Sequence, residues 1–145
     1  MPDLLHRIRV HAPPQKVFEF LAAPAGIKKW WTTDVTGGDR VGGVIEVGFN
    51  GRKAVLKLRI EEIESPERIS WTCIANAGGM EEWTGTSFYW SLSPARGGTQ
   101  TDLRFTHGGW KDNTGEFAAC NTTWGELMHK IKIAAEGGAG AAMFK

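Results

Sequence analysis

The stretch NTGEFAACNTTWGELMHKIKIAA, residues 113–135, decides how the rest of the chain is read. Phe117, Cys120, Asn121, Trp124, Leu127, Met128, Ile131 and Ala135 recur at spacings of three and four. That is one apolar stripe along about 20 residues, or roughly 30 Å, of α-helix. Asn113 fits an N-cap with Glu116 at the N3 position, the pattern of a capping box. Gly137-Gly138 ends the helix, since glycine takes the left-handed conformation of a helix C-terminus without penalty. A long helix that is apolar on one side must lie on a large apolar surface, and the residues ahead of it have to supply one.

They do so with a period of two. In residues 4–10, Leu4, His6, Ile8 and Val10 alternate with Leu5, Arg7 and Arg9, as in a strand with one buried face. The same alternation marks strands over 44–49, 54–63, 68–75, 81–92 and 99–107, separated by short glycine-rich turns. Asn50-Gly51 carries the strongest hairpin signal. In 68–75 Ile69, Trp71 and Cys73 share a face; in 81–92 Trp83 opposes Phe88, Trp90 and Leu92; in 99–107 Leu103, Phe105 and His107 align. Between the first two strands, Pro13-Pro14 opens a helix carrying Val17, Phe18, Phe20 and Leu21, which Pro24 ends. A second short helix spans 25–31 with Ile27, Trp30 and Trp31. The expectation is an α+β fold: a curved six-stranded antiparallel sheet wrapped around the long C-terminal helix, with two short helices after the first strand. One domain, 1–145, accounts for the whole length, and a cavity between sheet and helix is a usual place for a small ligand.

Composition narrows the function. The net charge is only +1, without the basic stripe of a nucleic-acid binder. No apolar run approaches the ~20 residues of a membrane helix, and the first residues lack the pattern of a signal peptide. The two cysteines, Cys73 and Cys120, lie within apolar periodic segments and read as buried free thiols, so the cytoplasm is the expected location. No His, Cys, Asp or Glu set has metal-ligand spacing, and the glycine run 137–140 follows a helix instead of joining a strand to one. Neither a metal nor another cofactor is expected. The adjacent pairs Glu61-Glu62 and Glu81-Glu82 point to opposite faces of a strand and make no acid/base dyad. Cys120 has no base spaced beside it, and an apolar surrounding raises a thiol pKa. No catalytic residue is assigned.

What is unusual is the aromatic content: seven Trp and seven Phe against one Tyr. Plain core filling in a chain this size does not need that much ring area, each Trp burying on the order of 150–250 Å². Trp71, Trp90, Phe105, Trp124 and Met128 fit one interior wall, with Trp31 and Trp110 at element ends nearby. His107, in phase with Phe105, and Asn121, one turn before Trp124, are the polar groups expected to orient a ligand. Lone polar side chains of this kind are also found as satisfied structural groups, and His6 on the first strand is read that way.

Several local motifs fall in a familiar order. They are Ala12-Pro13-Pro14-Gln15-Lys16-Val17-Phe18, Trp30-Trp31-Thr32, the glycines at 42–43, Ile69-Ser70-Trp71-Thr72, Gly98-Thr99 leading into Leu103-Arg104-Phe105-Thr106-His107, and Gly108-Gly109-Trp110. From about residue 4 to 136 the chain resembles the START-like or SRPBCC superfamily, the helix-grip fold, in the branch related to the activator of Hsp90 ATPase homologue. The resemblance implies the sheet-and-helix architecture and a choice of functions without a shared catalytic motif. The first is binding of a small hydrophobic ligand, aromatic or lipid-like, by Trp31, Trp71, Trp90, Phe105, His107, Trp110, Asn121, Trp124 and Met128. The second is a polyketide cyclase- or hydratase-like reaction in the same pocket. The third is a stress-response or chaperone-regulating interaction module. The expected partner is the small ligand, with neither nucleic acid nor membrane, and the assembly a monomer or homodimer.

Overall fold

A computed structural model describes residues 2–78, 81–113, 115–138 and 140–145. Strand β1 (Leu4–Val10) leads into helices α1 (Pro14–Phe18) and α2 (Pro24–Ile27). Then come β2 (Asp34–Gly37), β3 (Val44–Phe49), β4 (Ala54–Glu64), β5 (Arg68–Ala77), β6 (Ser87–Ala95) and β7 (Gln100–Gly108), and last the helix α3 (Gly115–Ala135). All seven strands form one antiparallel sheet in the order β1-β7-β6-β5-β4-β3-β2. The chain therefore closes on itself: β1 pairs with the last strand, Leu4 opposite His107 and Val10 opposite Thr101. The architecture is the helix grip expected.

Three local expectations are corrected. The sheet has seven strands instead of six, because β2 is four residues long and reads Asp-Val-Thr-Gly, too short and polar to show a period. The second helix ends at Ile27; Trp30 and Trp31 sit in the turn that follows, their amides donating to the Ile27 carbonyl at 3.2 and 3.0 Å. Residues Glu81–Trp83 form a 3-10 turn ahead of β6. Strand parity therefore does not apply to Trp83, which turns inward and is buried instead of opposing Phe88. The loop at Asn50-Gly51 has four residues, with Asn50, Gly51 and Arg52 all at positive φ. Helix α3 is described from Gly115, and the start expected with Asn113 as its cap runs through Thr114, which lies outside the described residues.

The inner face is assembled by register. Leu4, His107, Phe88 and Trp71 form one cross-strand row, and His6, Phe105, Trp90 and Ile69 the next. Against these rows α3 lays Cys120, Trp124, Leu127, Met128, Ile131, Ala134 and Ala135, all buried. Burying each large apolar side chain stabilises the fold by roughly 1.5–3 kcal/mol. Both cysteines are free and buried. Among the described residues no helix is long and apolar enough to cross a membrane.

Candidate functional site

Most of the space between sheet and helix is filled by rings. Trp90 lies 4.2 Å, centroid to centroid, from Phe105, which lies 4.2 Å from Trp124. Trp71 meets Trp90 edge-on at 5.9 Å, and Trp30 meets Trp90 edge-on at 5.7 Å. Such contacts add about 0.5–1.5 kcal/mol each beyond the area they bury. Trp71, Trp90, Phe105 and Met128 are buried in this core and are not on the wall of the cavity beside it, which corrects the expected wall.

The open space lies at one end of this core, as a cavity of about 260 Å³. Its back is made by Trp31, Trp83 and Trp124, and its sides by Phe49, Leu127 and Phe144. Trp31 stacks on Trp30 (5.7 Å, 5° between planes) and leans on Trp124 at 5.2 Å, so its face is fixed from behind. Phe144 reaches the site on the segment after α3. The Met143 and Phe144 amides donate to the Trp30 and Trp31 carbonyls at 3.2 and 2.9 Å. The Thr33 amide donates back to Phe144 at 3.1 Å, and the Asn50 amide to Lys145 at 2.6 Å. This strap sets the Phe144 ring edge-on to Phe49 at 5.4 Å. Along α3, Glu116, Ala119, Cys120, Thr123, Trp124 and Leu127 face the cavity at helical spacing.

The polar groups sort into two sets. His107 is fully buried and not on the cavity wall. Its Nδ1 accepts from Trp124 Nε1 at 3.2 Å, which leaves Nε2 to carry the hydrogen and donate to Thr86 Oγ1 at 2.8 Å. Thr86 in turn donates to the Trp83 carbonyl at 2.6 Å. Burial drives the His107 pKa down to about 3, so the ring is neutral and held in one tautomer. It ties Trp124 to the Trp83 turn, fixing two cavity walls at once, and offers neither proton nor lone pair to a ligand. The second set lies on the wall: Glu116, Thr123 and Asn50. Glu116 Oε1 accepts from Trp83 Nε1 at 3.4 Å and from Cys120 Sγ at 3.5 Å. Burial first, then the carboxylates of Glu116 and Glu82, push the Cys120 thiol far up from its ordinary pKa, away from nucleophilic use.

Asn121 is the clearest correction. It is exposed, on the flank of α3 that faces edge strand β1, as a hydrogen-bonding neighbour of His6. Gly125 on the same flank lies beside the His6 ring, and Lys132 Nζ donates to the Arg9 carbonyl at 2.9 Å. The helical stripe is wide enough to cover both the interior and the sheet edge, and Asn121 belongs to the edge. Trp110 is buried behind Trp83, edge-on at 5.8 Å, and also packs on His107. Of the expected residues, the structure brings Trp31 and Trp124 to the cavity. Phe49, Trp83, Glu116, Ala119, Cys120, Thr123 and Phe144 were not in the expected set. Among the described residues no three His, Cys, Asp or Glu side chains gather into a metal-holding group.

Comparison with known proteins agrees with this architecture. Residues 11–136 match the family model described as activator of Hsp90 ATPase homolog 1-like protein. The solution structure of the Aha1 dimer from Colwellia psychrerythraea is similar over 97% of this chain and 100% of that one, with 34% identity and a TM-score of 0.82. The protein SSP2350 from Staphylococcus saprophyticus is 18% identical over 99% of this chain and 98% of that one (TM-score 0.74). CalU16 from Micromonospora echinospora is 19% identical over 93% and 74% (TM-score 0.70). These last two share the fold. No curated protein sequence matches the chain.

Proposed function

The chain belongs to the activator of Hsp90 ATPase homolog 1-like family, and from that premise we propose that it is a binder of a small, flat, apolar molecule at the open end of its sheet. The observation that carries the reading is the cavity of about 260 Å³ backed by three tryptophans whose rings are held by neighbours. Its volume lies below the roughly 300–1,000 Å³ of drug-sized sites, which favours a ligand of one or two rings. Binding without catalysis is supported by the state of the nearby reactive groups. His107 is spent on Trp124 and Thr86, and the Cys120 thiol is suppressed. A cyclase- or hydratase-type reaction would need a group poised to move a proton at the wall, and these two are not so poised.

The test is titration of one- and two-ring aromatic compounds, followed by Trp emission and by calorimetry. Ala119 is exposed on helix α3 at the cavity wall, so Ala119→Phe fills the space without disturbing the core. Saturable binding that Ala119→Phe weakens at least tenfold supports the reading. Binding of the whole panel with no effect of Ala119→Phe, or no binding at all, overturns it.

A second reading follows from the family and one surface feature. Leu5 and Tyr89 are 71% and 53% exposed and flank Thr106 in one cross-strand row on the outer face of the sheet. That row would suit a protein partner, including a chaperone or a second copy in a homodimer. Tyr89→Ser should abolish such an association, read by light scattering or by capture of a purified chaperone, while leaving ligand titrations unchanged.

A further inference from the structure

Resting on the cavity reading, we propose that the preferred ligand is a flat aromatic body carrying a cationic amine, whose charge is held at Glu116. Among the described side chains that wall the cavity, Glu116 is the one carboxylate; the other polar walls include Thr123 and Asn50. Lys53 and Lys145 are neighbours in sequence of the wall residues Ala54 and Phe144 but do not line the space. A second carboxylate, Glu82, is close enough to act on the Cys120 thiol in the same wall. One wall of the cavity therefore carries a carboxylate beside ring faces, while Glu82 lies with Lys111 at a neighbouring hollow.

Those two features select the same chemistry. Ring faces carry negative quadrupole density and attract a cation lying over them, most strongly for Trp. Glu116 sits at the Trp83 edge of the cavity, its Oε1 receiving the Trp83 N–H at 3.4 Å, so a cation at the carboxylate is also beside an indole. A carboxylate ligand would meet Glu116 and Glu82 with like charge, and a neutral ligand would gain only ring burial. The anchoring of Trp83 is independent of the ligand, since Thr86 and His107 hold its turn from behind.

The experiment uses three compounds of matched shape: 2-naphthylmethylamine, 2-naphthylmethanol and 2-naphthoate. Calorimetry at pH 7 and low salt measures each against the full chain. The amine is expected to bind about five- to tenfold more tightly than the alcohol, the order expected for one partly exposed charge pair aided by a ring. The carboxylate should bind most weakly of the three, and the preference should shrink with added salt. Glu116→Gln, which keeps an acceptor for Trp83, should bring the amine down to the affinity of the alcohol. If alcohol and carboxylate bind as well as the amine, or Glu116→Gln leaves the amine's advantage intact, the charge assignment is wrong while the cavity reading stands. If none of the three binds, the cavity reading itself fails.

Discussion

Lowering the pH from 7.5 to 4.5 should destabilise this protein through one buried ring. His107 sits at about 3 when folded against 6.5 for an exposed imidazole, and desolvation is the cause. In the unfolded chain the ring takes a proton as the pH falls through 6.5; in the folded chain it resists until near 3. The unfolded state therefore binds more protons between those values, and stability is whole above 6.5 and lost progressively below it. Each pH unit in that window is worth 1.36 kcal/mol, so pH 4.5 costs about 2.7 kcal/mol, a large share of the roughly 5–15 kcal/mol that holds a domain folded. The assay is urea unfolding at both pH values for the native chain and for His107→Gln. The variant loses about 1–3 kcal/mol at pH 7.5 from the disturbed Trp124 and Thr86 bonds. Its further loss on acidification should be about 2.7 kcal/mol smaller than the native chain's. His6, whose pKa burial also lowers, is common to both proteins and cancels. An equal acid loss in the two proteins would refute the argument, because the buried neutral ring would then not be the acid-sensitive group.

Three further outcomes follow from the packing. Trp90→Phe should cost on the order of 1–3 kcal/mol of stability, read by chemical unfolding, yet leave ligand titrations unchanged, since Trp90 is walled off from the cavity by Trp124 and Phe105. The thiols should stay silent to Ellman's reagent in the folded protein at pH 8 and react on unfolding: burial raises Cys73 to about 11 and Cys120 further. Deleting residues 140–145 should speed amide exchange at Thr33 and Asn50, whose N–H groups donate to that segment, and weaken ring binding by removing Phe144.

The fold was legible because its signals are long. Twenty residues of helical period and six stretches of alternation fix which faces meet, whereas the pairing of β1 with β7 is not marked by period, since the other strands carry an apolar face as well. What was lost was short or off-period. A strand of four residues has room for one alternation, and a period of two puts Trp83 on the wrong face because a 3-10 turn interrupts that parity. Phe144 follows a glycine-rich run with no period at all, so nothing local marks it as a wall. His107 was located correctly on the inner face, but its role depends on Trp124 and Thr86, residues 17 and 21 positions away, whose indole and hydroxyl consume both ring nitrogens.

The cavity's position has its own cause, and part of it is written in α3. In the second half of that helix Leu127 closes the end of the cavity, and the inward Met128 and Ile131 beyond it are buried against the core. In the first half the cavity side carries Ala119, Cys120 and Thr123, all small, between Glu116 and Trp124. A helix lying across a sheet at near-constant separation leaves a gap wherever its side chains shorten, unless the sheet lengthens its own to match. Here the sheet's large rings, Trp71, Phe88, Trp90 and Phe105, are massed farther along, against Trp124 and one another. The aromatic surplus thus serves mainly as a rigid back wall, and the open space begins where small residues on α3 pass beyond it. Enlarging that space calls for substitutions on α3 at 119 and 123, and truncating the rings behind it would only loosen the wall.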